Sequence, residues 1–138
     1  MRTGELVFVD TGAWIALALT RDPLHSRAAE TWAQMTGTGA RLHTTVSVVV
    51  ETFTFLDRNA NRDVALAWKE WATRSGALKI LPCELRDLHR SWEYFRRSDL
   101  HKLSAVDATS FIIMKRARIR LAYTFDHHFA VVGFRMVT

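Results

Sequence analysis

The chain has 138 residues, 49% hydrophobic and 24% charged, an ordinary globular balance that argues against disorder and predicts one domain over residues 1–138. Nineteen lysines and arginines against fourteen acids give a net charge of +5, which favours a polyanionic partner such as a phosphate backbone. A single cysteine, Cys83, excludes an internal disulfide, and no apolar run reaches the roughly 18 residues of a membrane span, so we expect a soluble, cytoplasmic protein without a membrane partner.

The first predicted strand, residues 6–9, is short and apolar and ends at an acid, Asp10. A turn at Thr11 and Gly12 leads into a predicted helix over residues 13–19. Asp10 can therefore be the N-cap of this helix or a ligand-binding carboxylate at the carboxyl edge of a sheet. The residues alone leave both interpretations open.

Residues 25–35 predict a second helix and residues 41–44 a second strand. His25 and His43 lie in these elements without an acidic or histidine neighbour at ligand spacing, so we interpret them as surface histidines.

The next segment, residues 45–56 (TVSVVVETFTFL), is rich in valine and alternates Thr with Phe, a pattern that predicts a strand. A helix capped by Thr45 or Ser47 is the alternative if packing overrides propensity. In either case Glu51 is the only charge in the run, so it is paired, partly exposed or functional.

Residues 63–75 predict a helix and residues 77–81 a third strand. The amphipathic pattern of residues 84–97 predicts a further helix. Its expected core side consists of Leu85, Leu88, Trp92 and Phe95. Arginines follow the other side of this helix, and together with a lysine just beyond it they form a candidate phosphate-contacting face, although a solvated face is the alternative: Arg86, Arg90, Arg96, Arg97 and Lys102.

The stretch from 103 to 129 holds two further acids at the ends of apolar elements. Ser104 followed by Asp107 predicts a helix start, and residues 121–125 predict a strand that ends at Asp126. Asp107 can simply complete a capping box, and Asp126 can cap the following turn. His127 and His128 are adjacent and do not face one point, so we predict no two-histidine metal site. Residues 131–137 predict a short closing strand.

Alternating strands and helices predict a layered α/β domain with a parallel sheet. The carboxyl ends of its strands share one edge, so Asp10 and Asp126 become neighbours and Asp107 can join them. Crowded carboxylates repel one another without a cation, and oxygen ligands suit Mg²⁺ or Mn²⁺. Such an ion can activate water beside a phosphate. With the basic surface, this arrangement predicts a nuclease.

Four stretches in the right order, VFVDTGAWIAL, VVVETFTFL, LSAVDATSFIIM and TFDHHF, resemble the signature blocks of PIN-domain ribonucleases, particularly VapC toxins. The resemblance implies a PIN-like three-layer α/β/α domain whose central, mostly parallel sheet has about five strands. It also implies that Glu51 lies on a helix, and we adopt this over the propensity-based strand.

The resemblance further implies an acidic quartet around Mg²⁺ or Mn²⁺, consisting of Asp10, Glu51, Asp107 and Asp126. Asp10 and Asp107 are expected to be the most direct ligands, and the other two to complete the site directly or through water. Hydroxyls expected to orient these carboxylates are those of Thr11, Ser104 and Thr124. Asp99 is left out of the core site because its separation from Asp107 varies within the family.

The implied activity is that of a metal-dependent endoribonuclease toxin that leaves 5′-phosphate and 3′-hydroxyl ends. The implied partners are RNA, contacted through the basic residues named above, a small cognate antitoxin and a second copy in a homodimer. Four tryptophans can line part of a groove that binds the antitoxin, or they can simply be core residues: Trp14, Trp32, Trp68 and Trp71.

Three other functions fit the same residues. A PIN-type nuclease of RNA processing or decay would share the chemistry without being a toxin. A receiver or phosphatase-like domain would use Asp10 as a phosphoacceptor and leaves Glu51 unexplained. A non-catalytic RNA-binding module would use the acids only as structural caps.

Overall fold

The computed structural model describes residues 2–137, which form a sheet of five strands with helices on its faces. The strands are β1 (Leu6–Val9), β2 (Arg41–Thr45), β3 (Leu78–Leu81), β4 (Leu121–Tyr123) and β5 (Arg135–Met136). Their order in the sheet is β3-β2-β1-β4-β5, and every neighbouring pair runs parallel. The predicted α/β class and parallel five-stranded sheet are therefore confirmed.

Within the described range 2–137, seven α-helices connect the strands: α1 (Thr11–Ala18), α2 (His25–Gly37), α3 (Val46–Asn59), α4 (Arg62–Arg74), α5 (Leu85–Ser91), α6 (Ala105–Arg116) and α7 (His128–Val131). A 3₁₀ segment, Trp92–Arg96, extends α5. None of the helices within residues 2–137 combines the length and apolar character needed to cross a membrane.

The sheet order places β1 beside β4 in the centre. Val9 pairs with Tyr123, and the Asp10 N–H donates to the Tyr123 carbonyl at 3.0 Å. The Tyr123 hydroxyl is fixed in turn by the Ala28 carbonyl of α2, 2.5 Å away. The residues that follow β1 and β4 are consequently held side by side at the carboxyl edge, where ligands bind in open α/β sheets.

The segment whose composition predicts a strand is the helix α3, as the resemblance implied. Thr45 caps it by accepting the Val48 N–H at 3.1 Å. Val48, Thr52 and Leu56 are buried at four-residue spacing, and α3 packs on α1 and α4 through that stripe. Tertiary packing therefore overrides the strand propensity of the valines.

The prediction of which face of segment 84–97 is buried is wrong. Leu85 is 68% exposed, Trp92 45% and Phe95 44%, whereas Leu88 is half-buried. The buried residues are instead Asp87, Ser91 and Tyr94. The helical pattern also changes, since α5 ends at Ser91 and continues as the 3₁₀ segment.

Asp87 explains the orientation of α5. Its carboxylate accepts the Glu84 N–H at 2.9 Å and an ion-pair hydrogen bond from Arg116 of α6. A buried carboxylate needs such partners, so this pairing holds the polar side of α5 against α6. Near the C-terminus, the predicted closing strand is shorter than expected, because residues 128–131 form α7 and only Arg135–Met136 pair as β5.

Candidate active site

Three carboxylates reach the carboxyl edge of the sheet from three different elements. Asp10 follows β1, Asp126 follows β4, and Asp107 is the third residue of α6. Asp10 and Asp107 are 4% and 8% exposed, and Asp126 is half-buried. The structure therefore brings together three of the four acids of the predicted quartet.

Asp10 occupies the N-cap position of α1 with an extended backbone, but its side chain makes no capping hydrogen bond. Its Oδ2 accepts the Thr124 hydroxyl at 3.0 Å. Within residues 2–137 its Oδ1 is buried without a hydrogen-bond partner. A buried carboxylate oxygen without a donor is costly in an apolar setting, so a cation is a suitable partner for it.

Thr124 links two of the acids. Its hydroxyl donates to Asp10 Oδ2 and accepts the Asp126 N–H at 2.9 Å. Since the hydroxyl has one proton and free lone pairs, one side chain fulfils both roles. The ends of β1 and β4 are thus fixed relative to each other by a fully buried residue.

Asp107 takes part in the cap of α6 through its backbone rather than its carboxylate. The Ser104 hydroxyl accepts the Asp107 N–H at 3.0 Å. The carboxyl is turned to Asp126, with which it forms a hydrogen-bonded pair. In α5 the corresponding residue is Asp87, whose carboxylate accepts the N–H of the N-cap residue Glu84. The carboxylate of Asp87 therefore caps its own helix, whereas the carboxylate of Asp107 does not.

The acids shift one another's ionisation. Burial, aided by the negative charges of Asp126 and Glu51, raises the pKa of Asp10 to about 6 against the opposing hydrogen bonds of Thr11 and Thr124. Burial and the charge of Asp10 contribute most to raising the pKa of Asp107 to about 9. Such shifts are expected of carboxylates gathered without a counter-ion, and they indicate a cation-binding site.

Asp126 behaves differently because it has more donors. Burial acts to raise its pKa, but the hydrogen bonds from Asp107 and from the His128 backbone outweigh burial and leave the pKa below its ordinary value. The His128 N–H donates to Asp126 Oδ1 at 2.9 Å, so Asp126 also caps its turn, as the simpler interpretation expected.

His128 is the residue that the sequence analysis missed. Its Nδ1 lies 3.0 Å from Asp126 Oδ1, and its Nε2 lies 2.8 Å from the His101 carbonyl. Ligand atoms of Asp107, Asp126 and His128 lie within 4.8 Å of one another. The sequence did contain a signal for this role, because His128 lies two residues after Asp126, a spacing at which a turn brings the ring back to the carboxylate. His127 is exposed, and a two-histidine site is still not indicated.

Glu51 lies half-buried on α3, close enough for its charge to raise the pKa values of Asp10 and Asp107. Thr11, the first residue of α1, is buried, and within residues 2–137 its hydroxyl lacks a partner. Ser104 is exposed at the N-cap of α6. Asp99 is also exposed and is bound by Arg97 through two hydrogen bonds of 2.9 and 2.7 Å, outside the carboxylate group.

The candidate RNA-contacting residues are all exposed. Arg90 and Arg97 border a cavity of about 570 Å³ beside α6, which we name the α6 cavity; its other lining residues are Glu93, Tyr94, Ile112 and Lys115. Arg96 lies outside its lining. Lys102 directly follows His101, whose carbonyl faces His128.

The tryptophan cluster, consisting of Trp14, Trp32, Trp68 and Trp71, packs with ring centroids 5.6 to 5.8 Å apart. Trp14 is 2% exposed and Trp71 37%. With Leu17 and Ala18 the four rings line an open apolar cavity of about 390 Å³. The cluster is therefore partly core and partly the wall of a surface groove.

This fold is that of a PIN domain, and the chain belongs to the PIN-domain family, whose model matches residues 7–135. Within the family it is similar to VapC20 of Mycobacterium tuberculosis, described as a 23S rRNA-specific endonuclease. The two are 35% identical over 130 residues, which cover 94% of this chain and 95% of VapC20.

Comparison with solved structures finds the same fold. The crystal structure of M. tuberculosis VapC20, described as a toxin that cleaves the sarcin–ricin loop, matches with a TM-score of 0.83 and 32% identity over 93% of this chain and 95% of that one. FitAcB of Neisseria gonorrhoeae (0.66, 13% identity, 96% of each chain) shares the fold. So does DNA-bound VapBC of Salmonella typhimurium (0.63, 15% identity, 99% of this chain and 97% of that one).

Proposed function

We propose that the chain is a metal-dependent endoribonuclease and the toxin of a VapBC-type toxin–antitoxin pair. The observation that carries the proposal is the meeting of Asp10, Asp107 and Asp126 at one sheet edge, with the pKa values of two of them raised by burial and mutual repulsion. The similarity to VapC20 over nearly the whole chain supports the same conclusion.

The donor set fits Mg²⁺ or Mn²⁺, because carboxylate oxygens predominate and one of them, Asp10 Oδ1, lacks a protein partner within residues 2–137. Asp10 and Asp107 would hold the ion directly, and Asp126 and Glu51 directly or through water. When bound, such an ion activates water and offsets the charge that develops on a phosphate.

The chain's own residues prepare this site. Thr124 holds Asp10 and Asp126 in register, and Ser104 fixes the first turn of α6 so that Asp107 faces the other acids. Burial of Asp10 and Asp107 reduces the dielectric around the reacting phosphate and strengthens each electrostatic contact. The exposed Arg90 and Lys102 would supply positive charge for the RNA backbone.

The substrate to test first is 23S rRNA, because that is the RNA named for VapC20. Purified chain would be incubated with 23S rRNA and with unrelated RNA, in Mg²⁺, in Mn²⁺ and in EDTA, beside the Asp107→Asn variant. We expect metal-dependent cutting that the variant lacks, with 5′-phosphate ends found by sequencing. Cutting that persists in EDTA or in the variant would contradict the proposal.

The proposed antitoxin is a small protein that docks on the tryptophan cluster, since an open groove with aromatic walls suits the apolar face of a helix. The test is co-purification with the product of a small neighbouring reading frame, and relief of growth arrest when both are expressed. A chain that cuts RNA but causes no growth arrest would be a processing or decay nuclease instead.

We also propose a homodimer through the exposed apolar side of α3 and the start of α5. Val46 and Val50 are 48% and 60% exposed and lie one helical turn apart, and Leu85 is 68% exposed. These three side chains would be unusual on a monomer surface and suit a self-complementary interface. Sedimentation of wild type and Val50→Asp tests this, with a monomer expected only for the variant.

A further inference from the structure

The edge of the sheet opposite the acids carries a second, basic cavity. It measures about 780 Å³ and lies where β1, β4 and β5 begin. We name it the distal cavity. Five of its lining residues are cations and only Glu5 is an acid; the cations are Arg2, Lys115, Arg118, Arg120 and Arg135.

These cations are exposed, and within residues 2–137 none of them forms an ion pair with a carboxylate. Other arginines of the chain are bound in this way: Arg62 to Asp57, Arg74 to Glu70, Arg86 to Glu84, Arg97 to Asp99 and Arg116 to Asp87. Five like charges around one cavity repel one another, and an anion would relieve that repulsion.

The apolar residues of the distal cavity form its floor. Ile119 is 1% exposed, Leu121 5% and Phe134 8%. Leu6 and Val132 are half-buried, so the fully exposed side chains that line the distal cavity are all cationic. Arginine forks bind phosphate through paired hydrogen bonds, whereas a protein partner normally needs an exposed aromatic or aliphatic anchor.

The distal cavity and the α6 cavity are neighbours, because Lys115 lines both. Helix α6 starts beside the acids, with Asp107 in its first turn, and ends at Lys115 and Arg116. Its 12 residues measure about 18 Å. A path lined by Arg90 and Lys115, and by Arg97 in its ion pair with Asp99, therefore follows α6 towards the opposite edge of the sheet.

From this path we propose that the distal cavity binds the phosphate backbone of the same RNA strand that is cut at the acids, several nucleotides from the scissile bond. The inference rests on the proposed nuclease function. At the 3.4 Å spacing of a stacked strand, about five nucleotides cover the length of α6. Longer RNA therefore gains contacts that a very short RNA cannot make.

The test uses the full chain with Asp107→Asn, so that bound RNA is not cut. The distal variant adds Arg118→Gln, Arg120→Gln and Arg135→Gln. A matched control adds Arg58→Gln, Arg62→Gln and Arg74→Gln, which remove equal charge from positions that line neither cavity. The probes are oligouridylates of sixteen and three nucleotides, and thermal melting compares the folding of all three proteins.

We expect the distal variant to bind the sixteen-nucleotide probe at least tenfold more weakly, and the control to change binding less than twofold. The slope of log K against log salt should flatten by about 2 for three lost phosphate contacts. Binding of the three-nucleotide probe should be the same in both variants, because it spans only about 10 Å.

Equal losses in the distal and control variants would overturn the proposal, since net charge alone would then explain them. Tighter binding of a sixteen-residue polyglutamate than of the RNA probe would also overturn it and indicate an acidic protein partner. Cleavage by the wild-type chain is measured separately. If the wild-type chain cleaves RNA but the distal and control variants lose RNA binding equally, only the distal site is refuted. If the wild-type chain does not cleave RNA, the proposed nuclease function is refuted.

Discussion

The Thr124 hydroxyl donates to Asp10 Oδ2 at 3.0 Å and so joins the end of β4 to the end of β1 where the acids converge. The Thr124 hydroxyl oxygen also accepts the Asp126 N–H. A single buried side chain therefore sets the relative position of two proposed metal ligands, and this dependence can be measured.

Thr124→Val removes both hydrogen bonds with little change in shape. We expect it to lower the free energy of unfolding by about 1–3 kcal/mol, because buried polar groups lose their partner. Affinity for Mn²⁺, measured by calorimetry, should fall about 10–100-fold, as is typical when a group that orients a ligand is lost. Thr124→Ser keeps the hydroxyl and should stay near wild type; a valine variant with wild-type affinity would contradict this role.

The second prediction concerns stability and pH in EDTA. Asp107 has a pKa of about 9 in the folded chain against an ordinary 3.8, so between these values the folded state holds a proton that the unfolded state has lost. Its contribution to stability is complete below pH 3.8 and is lost as pH rises to about 9. The slope is at most about 1.4 kcal/mol per pH unit for one proton.

Thermal melting from pH 5 to pH 9 would measure this loss. The matched variant is Asp107→Asn, which is neutral at every pH and should show a flatter profile with higher stability at pH 8. Adding Mn²⁺ should reverse the trend for wild type alone, since metal competes with the protons. A variant whose pH profile matches wild type would show that Asp107 is not the titrating group.

His128 provides the third prediction. It holds Asp126 through its backbone N–H and its ring while the His101 carbonyl fixes the other ring nitrogen. We expect His128→Ala to weaken Mn²⁺ binding about 10–100-fold through loss of that orientation. His127→Ala is the control, because His127 is exposed and adjacent, and it should bind the metal normally.

The fourth prediction concerns the tryptophan cluster, where one substitution should mainly lower stability and another should mainly weaken partner binding. Trp14 is 2% exposed, so Trp14→Ala should cost about 3–5 kcal/mol of unfolding free energy. Trp71 is 37% exposed, so Trp71→Ala should cost less but weaken antitoxin binding, measured by calorimetry with the purified partner. Normal antitoxin binding by Trp71→Ala would move the antitoxin to another surface.

The sequence predicted β1 and β3 closely because short apolar runs that end at an acid or proline are local features, whereas the count of five strands came from the resemblance. It failed for α3, where valine and threonine favour a strand in isolation but burial of Val48, Thr52 and Leu56 against neighbouring helices favours a helix. Only the resemblance corrected that interpretation, since the packing partners are remote in sequence.

The two other failures also come from partners that periodicity does not reveal. The buried side of α5 is set by Asp87 and Arg116, an ion pair between two helices. His128 joins the site only because a turn after β4 folds its ring back onto Asp126. The positions of Asp10, Asp107 and Asp126 could be anticipated because each directly follows a strand or begins a helix.

The central pairing of β1 with β4 has a consequence for synthesis of the protein. Asp10 directly follows β1, but the hydroxyl that orients it lies 114 residues later. Asp10, Glu51 and Asp107 emerge from the ribosome before any of them has its final neighbours, and the acids gather only when β4 inserts beside β1. A chain whose translation stops before residue 124 lacks both the Thr124 hydroxyl and the Asp126 carboxylate, so we expect it to hold no metal between these strands.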